Sequence, residues 1–203
     1  MPEKYDPNIH HRRSIRIPGY DYSQNGWHFV TICAQNRKYM FGEIVKDQMR
    51  LNNAGFMVKT WWQTVTNKFP SVQTDEYVVM PNHFHGIITV GATPCGRPNP
   101  DVVNGKSVGA TLCGRPNPDR IAPTLGDIVN WFKTMTTNEY IRGVKQNGWP
   151  PFLGRLWQRN YYEHIIRNED ELNRFRRYIA DNPSNWQTDE ENVGAALCGR
   201  TNP

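Results

Sequence analysis

Apolar residues recur along this chain with two alternating periods. Trp27 to Ala34 (WHFVTICA) is a nearly continuous run of β-forming residues and predicts a first strand. Phe41 to Leu51 holds two short extended pieces around Lys46-Asp47, the pattern of a hairpin. From Asn53 to Phe69 the period changes: Met57, Trp61 and Val65 recur at helical spacing, and Pro70 ends the pattern. Tyr77 to Val90 reads as a second hairpin, with Val78-Val79-Met80 extended, Pro81-Asn82 as its turn and Gly86 to Val90 continuing the return strand. A helix is expected from Thr124, capped with Asp127, striped by Leu125, Ile128, Phe132 and Met135, and stopped at Gly143. Leu156 to Ile166 (LWQRNYYEHII) predicts another strand. A last helix follows Asn168, with Glu171 completing its cap and Pro183 ending it.

Strand, helix, strand, strand, helix, strand, helix is the order of an α+β fold, a ferredoxin-like antiparallel sheet backed by helices. A single domain over 1–186 is expected. Between Val90 and Thr124 the pattern breaks into Gly, Pro, Asn and Arg, which reads as a flexible insertion at about 91–123. Residues 187–203 read as a C-terminal tail.

Composition narrows the function classes. The formal charge of +5 and pI near 9.1 are compatible with a polyanionic partner. Arginines cluster at the start (Arg12, Arg13, Arg16) and toward the end (Arg155, Arg159, Arg167, Arg174, Arg176, Arg177). No apolar run reaches the length of a membrane span and Met1-Pro2-Glu3-Lys4 lacks a signal-peptide core, so a cytoplasmic protein is expected. The four cysteines have neither zinc-finger spacing nor the arrangement of a disulfide framework. Gly105-Lys106-Ser107 lacks the upstream glycine and the strand–helix context of a phosphate loop, so no nucleotide cofactor is expected.

The candidate chemistry lies in the return strand. His83 and His85 flank Phe84, and strand alternation sends both imidazoles to one face while Phe84, Ile88 and Val90 face a core. Such a pair is half of a metal site, or two surface histidines on a half-exposed hairpin. On the last helix, Arg174, Tyr178 and Asn182 are spaced by four and share a face beside the Leu172, Phe175, Ile179 stripe. Tyr178 read alone is a boundary tyrosine. Read with the histidines it points to phosphoryl transfer. The tyrosine oxygen would attack a phosphodiester polarised by a divalent ion, with an arginine favouring the phenolate.

His83-Phe84-His85 resembles the HUH motif (histidine, bulky apolar, histidine) of single-strand DNA nickases and transposases. Arg13-Ser14-Ile15-Arg16-Ile17-Pro18-Gly19-Tyr20, Met80-Pro81-Asn82-His83-Phe84-His85, Trp157-Gln158-Arg159 and Tyr178-Ile179-Ala180-Asp181-Asn182-Pro183 extend the likeness. Together they resemble the REP-associated tyrosine transposases, relatives of single-tyrosine insertion-sequence transposases. The resemblance implies that His83 and His85 are metal ligands for magnesium or manganese and that Tyr178 is the nucleophile. It places Asn182 at the third ligand, where related enzymes carry glutamine. Glu163 and His164 are rival ligands; Tyr140, Tyr161 and Tyr162 are rival nucleophiles.

The implied activity is a single-stranded DNA endonuclease and strand transferase working through a 5′-phosphotyrosine at DNA hairpins, in the cytoplasm at the nucleoid. The alternative is a hairpin-binding regulator of the same fold that does not cut. Arg12, Arg13, Arg16, Tyr20, Arg159 and Arg174 would contact the DNA. A monomer and a homodimer are both compatible with the sequence.

Three decapeptides repeat, each after a valine: GATPCGRPNP (Gly91–Pro100), GATLCGRPNP (Gly109–Pro118) and GAALCGRTNP (Gly194–Pro203). As protein they read as linker. As DNA, Gly-Ala-Thr coded GGG-GCG-ACC is the reverse complement of GGT-CGC-CCC, Gly-Arg-Pro. Gly-Ala-Ala coded GGT-GCG-GCC is likewise the reverse complement of GGC-CGC-ACC, Gly-Arg-Thr. Each copy can therefore encode a hairpin, the expected trace of palindromic elements inserted in frame. A Val-Gly pair coded GTA-GGN would place GTAG beside the stem, as the resemblance implies for such elements.

Overall fold

The WHFVTICA run is apolar throughout because it forms an interior strand. In the computed structural model, which describes residues 26–91 and 123–189, β1 (Gly26–Cys33) pairs antiparallel on both sides. Its neighbours are β5 (His83–Val90), in the register Gly26↔Val90 to Cys33↔His83, and β6 (Tyr162–Ile166). On the far side of β5 lies β4 (Val72–Val79), whose ladder is irregular between Thr74 and Tyr77. The resulting order, β4-β5-β1-β6, with α1 (Asn53–Gln63) between β1 and β4 and α3 (Leu125–Asn147) between β5 and β6, is the ferredoxin-like arrangement expected from the sequence. A separate hairpin of β2 (Gly42–Val45) and β3 (Gln48–Leu51) turns at Lys46 and Asp47. Both have positive φ (51° and 59°), as a tight two-residue hairpin turn requires.

Strand alternation divides the apolar residues between two cores. Val30 and Ile32 of β1 and Phe84 and Ile88 of β5 join the helical residues Val58, Trp62, Ile128 and Phe132 in the larger one. Phe29 of β1, Ile87 of β5 and Ile166 of β6 face the other way, against Leu172, Phe175 and Ile179 of α4 (Glu169–Asp181). Thus α1 and α3 cover one sheet face, and α4 packs on the other.

The structure changes three expected boundaries. The helix expected over Asn53–Phe69 divides at Thr64 into α1 and the short α2 (Val65–Lys68). There the Thr64 hydroxyl donates to the Trp61 carbonyl, 2.8 Å away, a local bond that competes with the helical ladder. Gly143 does not stop α3, which runs on to Asn147 and ends at Gly148 with φ +66°. Gly143 is instead a packing position, since a Cβ there would collide with the Trp149 ring. Finally, Leu156–Ile166 is not one strand. Leu156 and Trp157 are buried, but only Tyr162–Ile166 joins the main ladder. Lys133 Nζ donates to the carbonyls of Gln158 (2.7 Å) and Arg159 (3.1 Å), drawing that stretch toward α3.

Side chains from both sheet edges hold α4 in place. At β4, Arg176 forms two bonds to Asp75, Nη2 to Oδ2 at 2.6 Å and Nε to Oδ1 at 3.0 Å. That fork keeps the Asp75 carboxyl below its ordinary range. At β6, Glu171 Oε1 lies 2.8 Å from His164 Nε2, and Asn168 caps the helix by accepting from the Glu171 N–H.

Candidate active site

His83 and His85 open β5, and the β1 register places Cys33 and Thr31 directly opposite them. Phe84 is buried in the larger core between them, so the two imidazoles emerge on the α4 face as alternation demands. Neither is a surface residue: His83 is 0 % exposed and His85 2 %. Their ring centroids are 4.4 Å apart.

Each ring is oriented through its Nδ1. Asn82 Oδ1 lies 2.7 Å from His83 Nδ1. An amide oxygen only accepts, so this contact puts the proton on Nδ1 and leaves Nε2 with a free lone pair. Thr31 Oγ1 holds His85 Nδ1 at 2.8 Å, and a proton donated there leaves its Nε2 bare as well. Burial pushes the His83 pKa down to about 3, assisted by the charge of Arg37 and opposed by the nearby Asn182 amide. His85 is also driven well below the ordinary histidine value, first by burial and then by His83, with Asp189 acting in the opposite sense. Both rings are therefore neutral at neutral pH, the state that binds metals.

The last turn of α4 and the chain beyond it close the site. Asn182 caps the helix and is 1 % exposed. Its Nδ2 donates to Asp189 Oδ2 at 2.9 Å, which fixes the amide so that Oδ1 is its remaining polar atom. Among the described residues, His83 Nε2, His85 Nε2 and Asn182 Oδ1 are buried without a hydrogen-bond partner. One ligand atom each from His83, His85 and Asp189 lies within 4.8 Å of the others. Orphaned lone pairs beside a buried carboxylate fit a divalent cation, whose binding would offset their desolvation. Mixed nitrogen and oxygen donors suit manganese and are compatible with magnesium.

Asp189 was not among the residues singled out from the sequence. It lies beyond residue 186, where a C-terminal tail was expected to begin. Its signal was Trp186: a large apolar residue three positions after Pro183 that keeps the chain packing. Trp186 is buried in a short 3-10 turn (Trp186–Thr188) and stacks on His83, with centroids 6.1 Å apart. Arg37 was missed too. Asn36 and Arg37 both have positive φ (56° and 51°), in a turn tied to the histidine hairpin by Ala34 N–H donating to the Asn82 carbonyl at 2.8 Å.

Tyr178 reaches this centre from the last turn of α4. Its ring is 5.3 Å from that of His85 and 5.9 Å from that of Phe29, and it is 44 % exposed. Arg174, one turn earlier, is 67 % exposed at its side chain and pairs with Glu171 at 3.2 Å. The shared face expected for Arg174, Tyr178 and Asn182 thus runs from solvent at Arg174 to full burial at Asn182. Arg159 is exposed after Trp157. Arg12, Arg13, Arg16 and Tyr20 lie outside the described residues.

The rival residues sit elsewhere. His164 braces Glu171 and packs on Phe175. Glu163 pairs across the sheet with Val30, on the larger-core side. Tyr140 is buried with its hydroxyl donating to the Pro150 carbonyl at 3.0 Å, Tyr161 packs against the larger core, and Tyr162 is an exposed residue of β6.

Among the described residues no helix is long and apolar enough to cross a membrane. No family model matches the chain. An uncharacterized protein of Haemophilus influenzae is 39% identical over 191 residues, covering 94% of this chain and 98% of the relative. Among solved structures, a REP-associated tyrosine transposase bound to a REP hairpin is similar, with a TM-score of 0.50 at 18% identity. That likeness covers 88% of this chain and 77% of the other. The chain accordingly belongs to the family of the Haemophilus influenzae protein, on a fold shared with the REP-associated tyrosine transposase.

Proposed function

We propose that the protein is a transposase-type enzyme that cuts and rejoins single-stranded DNA at hairpins, with Tyr178 as nucleophile. The observation that carries this reading is the convergence of three orphaned buried donors, His83 Nε2, His85 Nε2 and Asn182 Oδ1, beside a half-exposed tyrosine on the adjoining helix. The fold shared with a transposase solved on a DNA hairpin supports the choice of substrate.

In this mechanism the Tyr178 oxygen forms a bond to phosphorus while the bond to the 3′-oxygen breaks. The tyrosine proton is given up and the departing oxygen gains one, leaving a free 3′-hydroxyl and a 5′-phosphotyrosine. A 3′-hydroxyl attacking that ester reverses the step and joins strands, with no nucleotide needed to conserve the bond. His83, His85, Asn182 and Asp189 would hold magnesium or manganese, whose contribution when bound is to draw charge from the non-bridging phosphate oxygens. Arg37, whose charge acts on His83, and Arg174, one turn before Tyr178, would supply positive charge for the phosphodiester. Arg12, Arg13, Arg16, Tyr20 and Arg159 would grip the flanking strand, in the cytoplasm at the nucleoid.

Incubation with a 3′-labelled hairpin oligonucleotide and manganese tests the reading. A covalent protein–DNA band that disappears in Tyr178→Phe, while hairpin binding persists, is the expected result. Cleavage surviving that substitution would assign the attack to water. Tight binding with no cleavage would make the protein a regulator of the same fold.

A further inference from the structure

The three decapeptides lie, apart from Gly91, outside the described residues, and the site draws on none of them. Their pattern of change has its own logic, in base pairing. If each copy encodes a hairpin, the first three codons pair with the sixth to eighth, and codons four and five form the loop. The eighth residue then faces the first glycine, and the third faces the second glycine. The reverse complement of a glycine codon, GGN, ends in CC, so the residue it encodes is Pro, Thr, Ser or Ala and no other.

All six facing residues belong to that set: Pro98, Pro116 and Thr201 at the eighth position, and Thr93, Thr111 and Ala196 at the third. The middle pair is constant, alanine opposite arginine, as GCG opposite CGC permits. The remaining variation, Pro94 against Leu112 and Leu197, falls in the loop, where pairing imposes nothing. Each stem substitution is one base change, CCC to ACC or ACC to GCC. Its compensating change falls in the third base of a glycine codon and is silent. At the level of the peptide the same exchanges are unlike one another. Proline fixes φ, threonine is β-branched and alanine is neither. A constraint on the DNA duplex treats them as equivalent; a constraint on the peptide would not.

We propose that the decapeptides are DNA hairpins read through in frame, and that the coding strand of this protein's own gene is one of its binding partners. The inference rests on the hairpin-acting function proposed above and names a specific substrate for it: G·C-rich stems of three codons per arm, closed by two-codon loops. Binding there would bring the protein to its own coding sequence whenever that strand is single.

The gene's nucleotide sequence is the first test: synonymous codons that break the stems overturn the proposal. The second is binding of the full chain, in EDTA to prevent cleavage, to labelled coding-strand oligonucleotides spanning codons 90–100, 108–118 and 193–203. Each is compared with a recoded oligonucleotide that specifies the same peptide but cannot pair. Equal length cancels the phosphate contribution, so the native segments should bind at least about tenfold more tightly. Equal binding of native and recoded strands, while the REP hairpin of the solved relative is bound, overturns this proposal and leaves the general function standing. Loss of binding to that hairpin and the native segments alike overturns both. RNA of the same sequence binding as tightly as DNA would overturn the assignment to the coding strand.

Discussion

Thr31→Val isolates the support of the candidate metal centre from its ligands. The substitution keeps the shape of the side chain and removes the oxygen that holds His85 Nδ1 at 2.8 Å, in surroundings where Thr31 and His85 are both buried. Two consequences follow. A buried imidazole nitrogen loses its partner, which costs about 1–3 kcal/mol of stability in the metal-free protein. The ring also loses the bond that fixes its tautomer and aim, and loss of such a partner lowers metal affinity by roughly 10–100-fold, or about 1.4–2.7 kcal/mol. Calorimetric titration of manganese into the DNA-free protein reads the affinity, with His85→Ala as the floor and thermal unfolding confirming the fold. A Thr31→Val protein that is folded and binds manganese within about twofold of the parent would refute the argument that Thr31 sets the His85 lone pair.

Four other outcomes can be checked. Asp189→Asn should weaken manganese binding in the same titration by about tenfold or more, and unchanged affinity would remove Asp189 from the site. Manganese at about one hundred times its dissociation constant should raise stability by about 2.7 kcal/mol in urea denaturation, and EDTA should abolish the gain. His28 is fully buried, with its pKa pushed down to about 4 by burial. Its contribution is thus complete above the unfolded value near 6.5 and declines as pH falls toward 4, by about 3 kcal/mol at pH 4; a urea midpoint unchanged between pH 7 and pH 4 in EDTA would contradict this. Gly143→Ala should destabilise by about 1–3 kcal/mol despite alanine's higher helix propensity, because the new Cβ meets Trp149; a gain in stability would refute the packing of the Trp149 ring on Gly143.

Local patterns carried most of the fold. Phe84, Ile88 and Val90 alternate strictly enough to fix which way His83 and His85 point. The Thr124–Asp127 and Asn168–Glu171 pairs mark helix starts that the structure reproduces. What was illegible depends on contacts distant in sequence. Gly143 reads as a stop in any local window, and only the Trp149 ring seated on it explains the continuing helix. The break at Gln158–Arg159 comes from Lys133, 25 and 26 residues away. Asp189 follows a helix terminator, and only the return of Trp186 onto His83 brings it to the histidines.

Strand β5 also works as a spacer. The histidines begin it, and the segment holding two of the decapeptides attaches at its opposite end, after Val90. Seven residues of extended chain separate His83 from that junction, about 23 Å at the usual rise per residue. Both flanks of the strand are clamped between β1 and β4, so a change of length at the junction is not transmitted along it as a shift of register. A reading frame that gains DNA there leaves the geometry of the two imidazoles as it was, and the domain can host the very sequences it is proposed to bind.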